Sequence, residues 1–308
     1  MAVVDVSFII LCWNSRQHLD GVLSSIVADL SAAGQSFEVI VIDNGSRDDS
    51  LAYLREWQQR LSSLVVVPLG CNTGTTFSRN IGLRMARGRT ICVLDSDITF
   101  SQPQTLRRLI DVLDKYPQAG IVAPSLVYPS GNYQKSCDRF PTVMHKIKRR
   151  LFLRQMEAAE ARRWQELHQH AGGTSSDGGT AFFGDALVEP GRIDPQVARE
   201  VPYAISAFWV FRRSLIDSIG LLDDNIFYAP EDVDYCLRAW LAGWWVLHVS
   251  SVQATHHAQE ISRKKLFSRS SLSHTHGLLY YFWKHRYAFR LSGLLRRVRT
   301  AVRTWKPD

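Results

Sequence analysis

Two aspartates one residue apart, Asp95 and Asp97 in ICVLDSDITF (residues 91–100), are the first side chains whose spacing suggests chemistry. They close an apolar run, Ile91–Leu94, short enough for a strand buried on both faces. A carboxylate at the end of a buried strand is costly unless something pairs with it. On extended backbone, positions i and i+2 project to the same side, so the two charges would repel. A hard divalent cation, Mg2+ or Mn2+, resolves that conflict and keeps positions open for substrate phosphates. An acidic surface turn fits the same three letters, so the context must decide.

A second acidic cluster lies in NIFYAPEDVDYCLRAWLAGWW (225–245). Pro230 suits the first helical position, which puts Glu231 and Asp232 in the first turn. The helix dipole favours negative charge there, so Asp232 is expected to stay ionised and able to accept a proton. Glu231 reads equally well as a capping residue. Asp234 and Arg238, at i and i+4, read as a structural ion pair. Val233, Leu237, Trp240 and Leu241 form a buried stripe, and Gly243 ends the helix. Further on, His256 and His257 follow another apolar run; paired histidines there either serve the core or complete a metal shell.

The elements that must position these groups alternate. Strands are expected at Val4–Leu11, Phe37–Ile42, Leu64–Leu69, Ile121–Ala123, Ala204–Arg212 and Trp245–Val249. Asn14-Ser15 and Ser46 read as helix caps, Gly34 as a helix stop, and Pro103 as a helix opener. Apolar strands alternating with helices imply an α/β fold built on a mostly parallel sheet, with ligands beyond the strands' carboxyl ends. Between Gly70 and Gly88, Gly74 permits close backbone approach, while Arg79 and Asn80 by themselves read as an exposed helix. Neither G-x-G-x-x-G nor G-x-x-x-x-G-K-[ST] occurs, so neither familiar phosphate loop is available. Residues 128–201 are hard to read: a basic run at Lys146–Arg150, a charged helix over Leu151–His168, and a Gly/Ser-rich HAGGTSSDGG.

At 308 residues, with 45% hydrophobic content, the chain can bury a sizeable core. Its five cysteines are scattered without C-x-x-C pairing, which points to a reducing compartment rather than a disulfide framework. No signal peptide and no run of about 20 apolar residues is found. The net charge is +8, and it is concentrated late: twelve Lys or Arg from Arg263 onward face one acid, Asp308. There a stripe of Leu291, Leu294, Leu295, Val298 and Val302 is surrounded by Arg290, Arg296, Arg297, Arg299 and Arg303. That pattern fits an interfacial helix on anionic lipid and, equally, a helix packed on the body with a solvated basic face.

Five stretches taken together, VSFIILCWN, VIDNGSRDDS, GCNTGTTFSRNIG, VLDSD and FYAPEDVDYCLRAW, resemble the family 2 glycosyltransferases, and within them the bacterial rhamnosyltransferase-like members. The resemblance runs from residue 4 to about 257. It implies a GT-A (Rossmann-like) domain over 1–258, with a nucleotide-sugar half (1–127) and an acceptor half (128–258). A basic helical extension follows over 259–308. It also implies inverting, metal-dependent transfer of one sugar from a nucleoside-diphosphate donor, dTDP- or UDP-linked, to a glycan or lipid-linked hydroxyl. On that reading Asp43 meets the pyrimidine base with Trp13 near it, and Asn72, Gly74 and Arg79 lie along the donor. Asp95 meets ribose and metal, Asp97 and His256 bind Mn2+ or Mg2+, Asp232 is the general base, and Glu231 and Trp209 lie on the acceptor side. The Q-x-x-R-W motif of processive members is absent, which implies single addition. The expected setting is cytoplasmic, peripheral at the inner face of the cytoplasmic membrane. A nucleotidyltransferase would instead need a Gly-rich basic loop after the first strand, where LCWNSRQH stands. A nucleic-acid binder would use the basic tail, but no recognised binding motif is present and the acidic site would repel phosphate.

Overall fold

The computed structural model describes residues 4–31, 35–152, 155, 186–258 and 269–306. The amino-terminal half alternates β1 (Val6–Cys12), α1 (Arg16–Ser31), β2 (Phe37–Asp43), α2 (Ser50–Arg60), β3 (Leu64–Pro68), α3 (Thr75–Met85) and β4 (Thr90–Asp95). Then come β5 (Ile98–Phe100), α4 (Thr105–Lys115), β6 (Ala119–Val127), β7 (Tyr133–Gln134), β8 (Cys137–Asp138) and α5 (Val143–Leu151). The remainder comprises β9 (Arg199–Glu200), β10 (Tyr203–Ala204), β11 (Phe208–Arg212), α6 (Arg213–Ile219), α7 (Glu231–Leu241), β12 (Trp245–His256), α8 (Arg269–His285) and α9 (Ser292–Thr304).

Ten strands form one sheet along the path β3-β2-β1-β4-β11-β6-β12-β5, with β7 on β6 and β9 on β12. Strands β3, β2, β1 and β4 are parallel, as apolar strands linked by helices require. β1 and β2 run out together, since Cys12 pairs with Asp43, while Leu11 pairs with Asp95 across β4. Three chain ends thus meet at one level, and the side chains beyond them share one edge. β11 enters antiparallel between β4 and β6, so its amino end lies at that same edge. The strands are sealed by helices on a continuous apolar core that includes Phe8, Ile10, Ile40, Val93, Trp209 and Trp240.

Several local expectations change. Strand β4 ends at Asp95, and Ser96-Asp97 is a turn rather than extended backbone. The turn lets β5 swing across to pair with β12, His256 opposite Ile98. β12 therefore runs to His256 instead of stopping at Val249, with a register shift between Val249 and Gln253. The stretch 204–212 is two strands, because β10 pairs with β8 in a separate small sheet. The break at Ile205–Ala207 frees the Ser206 hydroxyl to meet Arg79 and Glu231. β6 is longer than the expected Ile121–Ala123. Asp49, not Ser46, precedes α2, and Ser46 instead accepts the Asn14 amide. Ser15 does stand directly before α1, its carbonyl accepting the His18 amide; Asn14 also accepts the Arg47 amide, and Ser15 Oγ donates to the Trp13 carbonyl and accepts from Ser96, so the pair ties loops together as well. α4 begins two residues after Pro103, and Asp29 of α1 accepts its Thr105 and Leu106 amides. Pro230 is the residue before α7 rather than its first. Gly34, most of the expected Leu151–His168 helix and the Gly/Ser-rich stretch lie outside the described residues.

The two readings of the basic carboxyl-terminal helix separate as well. In α9, Leu294, Val298 and Val302 are all buried, and the helix packs on α7. The apolar stripe is used inside the molecule, so it is not available to a bilayer; the basic face remains outside.

Candidate active site

Three ligand-bearing groups converge where β4, the turn after it and β12 meet. One ligand atom each from Asp95, Asp97 and His256 all lie within 4.8 Å of one another. His256 Nε2 stands 3.2 Å from Asp97 Oδ1, and the His257 amide donates to the Asp97 carbonyl at 2.9 Å. His256 Nδ1 is 2.8 Å from Gln134 Oε1 on β7, an arrangement that leaves Nε2 facing the carboxylates. Burial alone would raise Asp97, but the His256 ring outweighs it and holds the carboxyl below its ordinary value. The ring itself is raised by Asp97 despite burial. Asp95 is pushed up by burial and by Asp97, with Arg79 opposing. Two carboxylates and one imidazole suit a small divalent cation such as Mn2+ or Mg2+. His18, on the first turn of α1, lies close enough to Asp97 to feel its charge, with its ring 5.4 Å from that of His257.

Arg79 joins this cluster to the acidic helix. Its guanidinium is buried, not exposed as a surface helix would have it. Nη2 donates to Asp95 Oδ1 at 2.5 Å and to the Ser206 carbonyl, while Nη1 donates to Ser206 Oγ at 2.6 Å and to Glu231 Oε1 at 3.3 Å. Ser206 Oγ in turn donates to Glu231 at 2.7 Å. Asp95 and Glu231 therefore share one cation, which brings the end of β4 and the first turn of α7 to one site. Burial, reinforced by the Asp232 charge, pushes Glu231 up to about 8. Asp232 is half-buried beside it, and its carboxyl is raised too, with the Val233 amide, Lys146 and Arg79 opposing. Desolvation thus outweighs the helix end that was expected to hold Asp232 low. Tyr228 stands between the clusters: partial burial and the charges of Glu231, Asp95 and Asp232 all raise its phenol.

The loop before α7 is held by α3. Thr75 N donates to the Phe227 carbonyl at 2.7 Å, Thr76 Oγ1 to the Ile226 carbonyl, and Asn80 Nδ2 to Leu222 and Asp224. Gly74 sits at φ +87°, and a Cβ there would lie 2.4 Å from the Phe227 carbonyl oxygen. The close approach it allows is therefore to the chain's own backbone. Asn72 Oδ1 accepts the Gly74 amide and the Asn44 side chain, which ties the loop to the end of β2. Asp43 is buried at that end, accepting the Ser46 amide at 3.3 Å, and Trp13 is exposed just beyond β1. Asp43 and Asp95 flank β1, two strand spacings or roughly 10 Å apart.

One expected site residue is elsewhere. Trp209 is 1% exposed, stacked on Tyr235, with Nε1 bonded to the Ala204 carbonyl. Its inward position on β11 makes it core, not acceptor surface. The residues that sequence reasoning passed over are Ser206, Tyr228, Gln134 and Asn44. Of these only Tyr228 and Asn44 carried a signal, by adjacency to the acidic motifs.

Residues 7–220 match the family model described as glycosyl transferase family 2. The chain belongs to this family. Among curated relatives of this family 2 glycosyltransferase is the N-acetylglucosaminyl-diphospho-decaprenol L-rhamnosyltransferase of Mycobacterium tuberculosis. It is 24% identical over 256 residues, spanning 80% of this chain and 73% of the relative. The succinoglycan biosynthesis protein ExoO of Rhizobium meliloti is 37% identical over 112 residues, 36% of this chain and 30% of that protein. The match thus spans less than a third of ExoO. A solved structure of the Pyrobaculum calidifontis mannosyltransferase PcManGT, in complex with GDP-Man and Mn2+, shares the fold. It has a TM-score of 0.58 at 16% identity, covering 96% of this chain and 69% of that one.

Proposed function

We propose that this family 2 glycosyltransferase moves a single sugar, with inversion, from a UDP- or dTDP-linked donor to a hydroxyl of a lipid-linked or glycan acceptor in cell-envelope synthesis. Rhamnose is the sugar favoured by the relative that covers most of the chain. The observation that carries the reading is the Arg79 bridge, because it sets strand-end acids and helix-end acids around one space. Asp43 and Trp13 would receive the pyrimidine base, with Asn72 and Gly74 shaping the loop beside it. Asp95, Asp97 and His256 fit a divalent cation, and a neighbour of the same fold holds Mn2+. When bound, that ion supplies neutralisation of the charge gathering on the leaving diphosphate.

The chain's own residues do the rest. Asp232 takes the proton of the attacking hydroxyl on the face opposite the leaving group. Glu231, held by Ser206 and Arg79, stays out of that role because its carboxyl is already engaged. Arg79 balances Asp95 rather than caging phosphate. Residues 1–127 make the donor half, 128–258 the acceptor half, and 259–308 the extension, at the inner face of the cytoplasmic membrane. The test is a thermal-shift series with UDP, dTDP, GDP and their sugars, with and without Mn2+, followed by product analysis. Stabilisation by a pyrimidine diphosphate only with metal, and release of free nucleoside diphosphate, are expected. Release of pyrophosphate would overturn the reading.

A further inference from the structure

The helix α8 has two faces of opposite character. Gly277 faces inward so closely that a Cβ would lie 2.1 Å from the Ala229 carbonyl oxygen, and Tyr281, one turn on, is fully buried. Tyr280 and Lys284 reach Asp223, and His285 reaches Asp234. The opposite face carries Leu279 and Trp283, four residues apart and therefore stacked along the axis. They are 66% and 75% exposed, and Phe289, just past the helix, is 71% exposed. These three are the most exposed large apolar side chains among the described residues. Single exposed apolar residues need no explanation, but a Leu-Trp-Phe series on one short segment does.

The surroundings indicate what covers it. Arg286 and Arg290 are exposed between and beyond these residues, and no acid occurs from Arg263 to Lys306. Val143 of α5 donates its amide to the Ala288 carbonyl, so that acid-free helix, with Met144 and Ile147 exposed, starts against the residue before Phe289. Aromatic and aliphatic groups interleaved with cations, with no acid among them, match the interfacial zone of an anionic bilayer. A second protein of ordinary surface would meet excess positive charge here, whereas an acidic lipid surface neutralises it.

We infer that the outer face of α8, continued by Phe289, is a membrane-docking surface for anionic lipid, with Leu279 and Trp283 entering the interface and Arg286 and Arg290 contacting headgroups. The inward face of the same helix backs the residue pair preceding Glu231, so docking there holds the proposed reaction site close to the lipid surface. The binding itself needs neither donor nor metal, so it stands or falls apart from the transfer reaction.

The test is sedimentation of the full chain with phosphatidylcholine vesicles carrying about 30% phosphatidylglycerol, against pure phosphatidylcholine, at low and high salt. Wild type should bind the anionic vesicles at least tenfold better, and the double variant Leu279→Ser/Trp283→Ser should lose about tenfold. Arg296→Gln/Arg297→Gln on α9 should lose threefold or less. In vesicles with brominated acyl chains, wild-type tryptophan emission should be quenched, and Trp283→Phe should remove that quench while still binding. Unchanged binding by the Leu279/Trp283 variant, or a larger loss from the α9 variant, would overturn the inference. A wild-type dimer that the double variant converts to monomer in sedimentation velocity would also overturn it, by making a second copy the occupant.

Discussion

Two clusters of wholly or partly buried acids lie either side of α7, and they are resolved in opposite ways. On one side, Asp223 and Asp234 are met by Lys284 at 2.6 and 2.7 Å, by Arg238 at 2.9 Å and by His285 at 2.8 Å. Burial would raise Asp234, but these partners hold it below its ordinary value. On the other side, Asp95, Asp97, Glu231 and Asp232 share Arg79 and His256 as their closest charged partners among the described residues, with Lys146 and His18 acting at longer range. Three of those four carboxyls are pushed up. The first cluster is complete within the chain and reads as structure. The second lacks positive charge, and that shortfall is what a divalent cation and a proton in transit would fill. Charge balance, more than acidity, separates an acid that holds the fold from one that does chemistry.

This contrast can be broken by substitution. Asp97→Asn should lower turnover by roughly 10³–10⁴-fold, several kcal/mol of lost charge stabilisation. It should also abolish the Mn2+-dependent rise in melting temperature expected of wild type. A variant that keeps both would remove the metal assignment. Asp232→Asn should cost roughly 10²–10³-fold in kcat, in the range of a general base, with donor affinity within a few-fold. Near-normal turnover would free Asp232 of that role.

The structural cluster should respond in stability instead. Asp234→Asn is expected to cost on the order of 3 kcal/mol in urea unfolding, because buried cations lose their partner. A stability change below about 1 kcal/mol would erase the distinction between the two sides. Glu231→Gln sharpens the comparison more gently. Glu231, pushed up to about 8, is already uncharged where Asp232 gives up its proton, so turnover should stay within a few-fold and the acid limb of the kcat profile should stay in place. A loss comparable to that of Asp232→Asn would make Glu231 the base.

The smallest effect is at acid pH. Burial would raise Asp223, but Lys284 and Asn225 bring its carboxyl down to about 2. A depressed carboxyl stabilises the fold above its unfolded value and loses that contribution as pH falls from about 4 through about 2. Asp223→Asn should therefore be less stable than wild type near neutrality and have a flatter profile between about pH 4 and 2, the two curves converging at the acid end. An unaltered acid slope would show that Lys284 contributes nothing through Asp223.

Much of this was open to sequence reasoning, for identifiable reasons. The parallel strands β1 to β4 announce themselves by continuous apolar runs, and Asp43, Asp95 and Asp97 by the abrupt polar ends of those runs. Asp232 is legible from the proline before it and the apolar stripe after it. Ser206 is not, because the break between β10 and β11 comes from pairing with β8, a distant contact in the chain (Tyr203 with Asp138, Ala204 with Cys137) that leaves no local pattern. The burial of Arg79 is hidden likewise: its partners come from β4, the 206 turn and α7, and an arginine on a short helix normally reads as solvated. Trp209 failed for the converse reason, since an aromatic near a motif looks the same whether it faces ligand or core. The length of β12 was hidden by its register shift, which interrupts the alternation after Val249.

The close seating of Gly277 against Ala229 has a practical consequence. The backbone that precedes Glu231 and Asp232 rests on a segment nearly fifty positions downstream, with no room for a methyl group between them. Trimming the chain after β12 to obtain a smaller catalyst would therefore remove the wall behind the turn proposed to accept the proton, and Gly277→Ala alone should misplace that turn without altering Glu231 or Asp232 themselves.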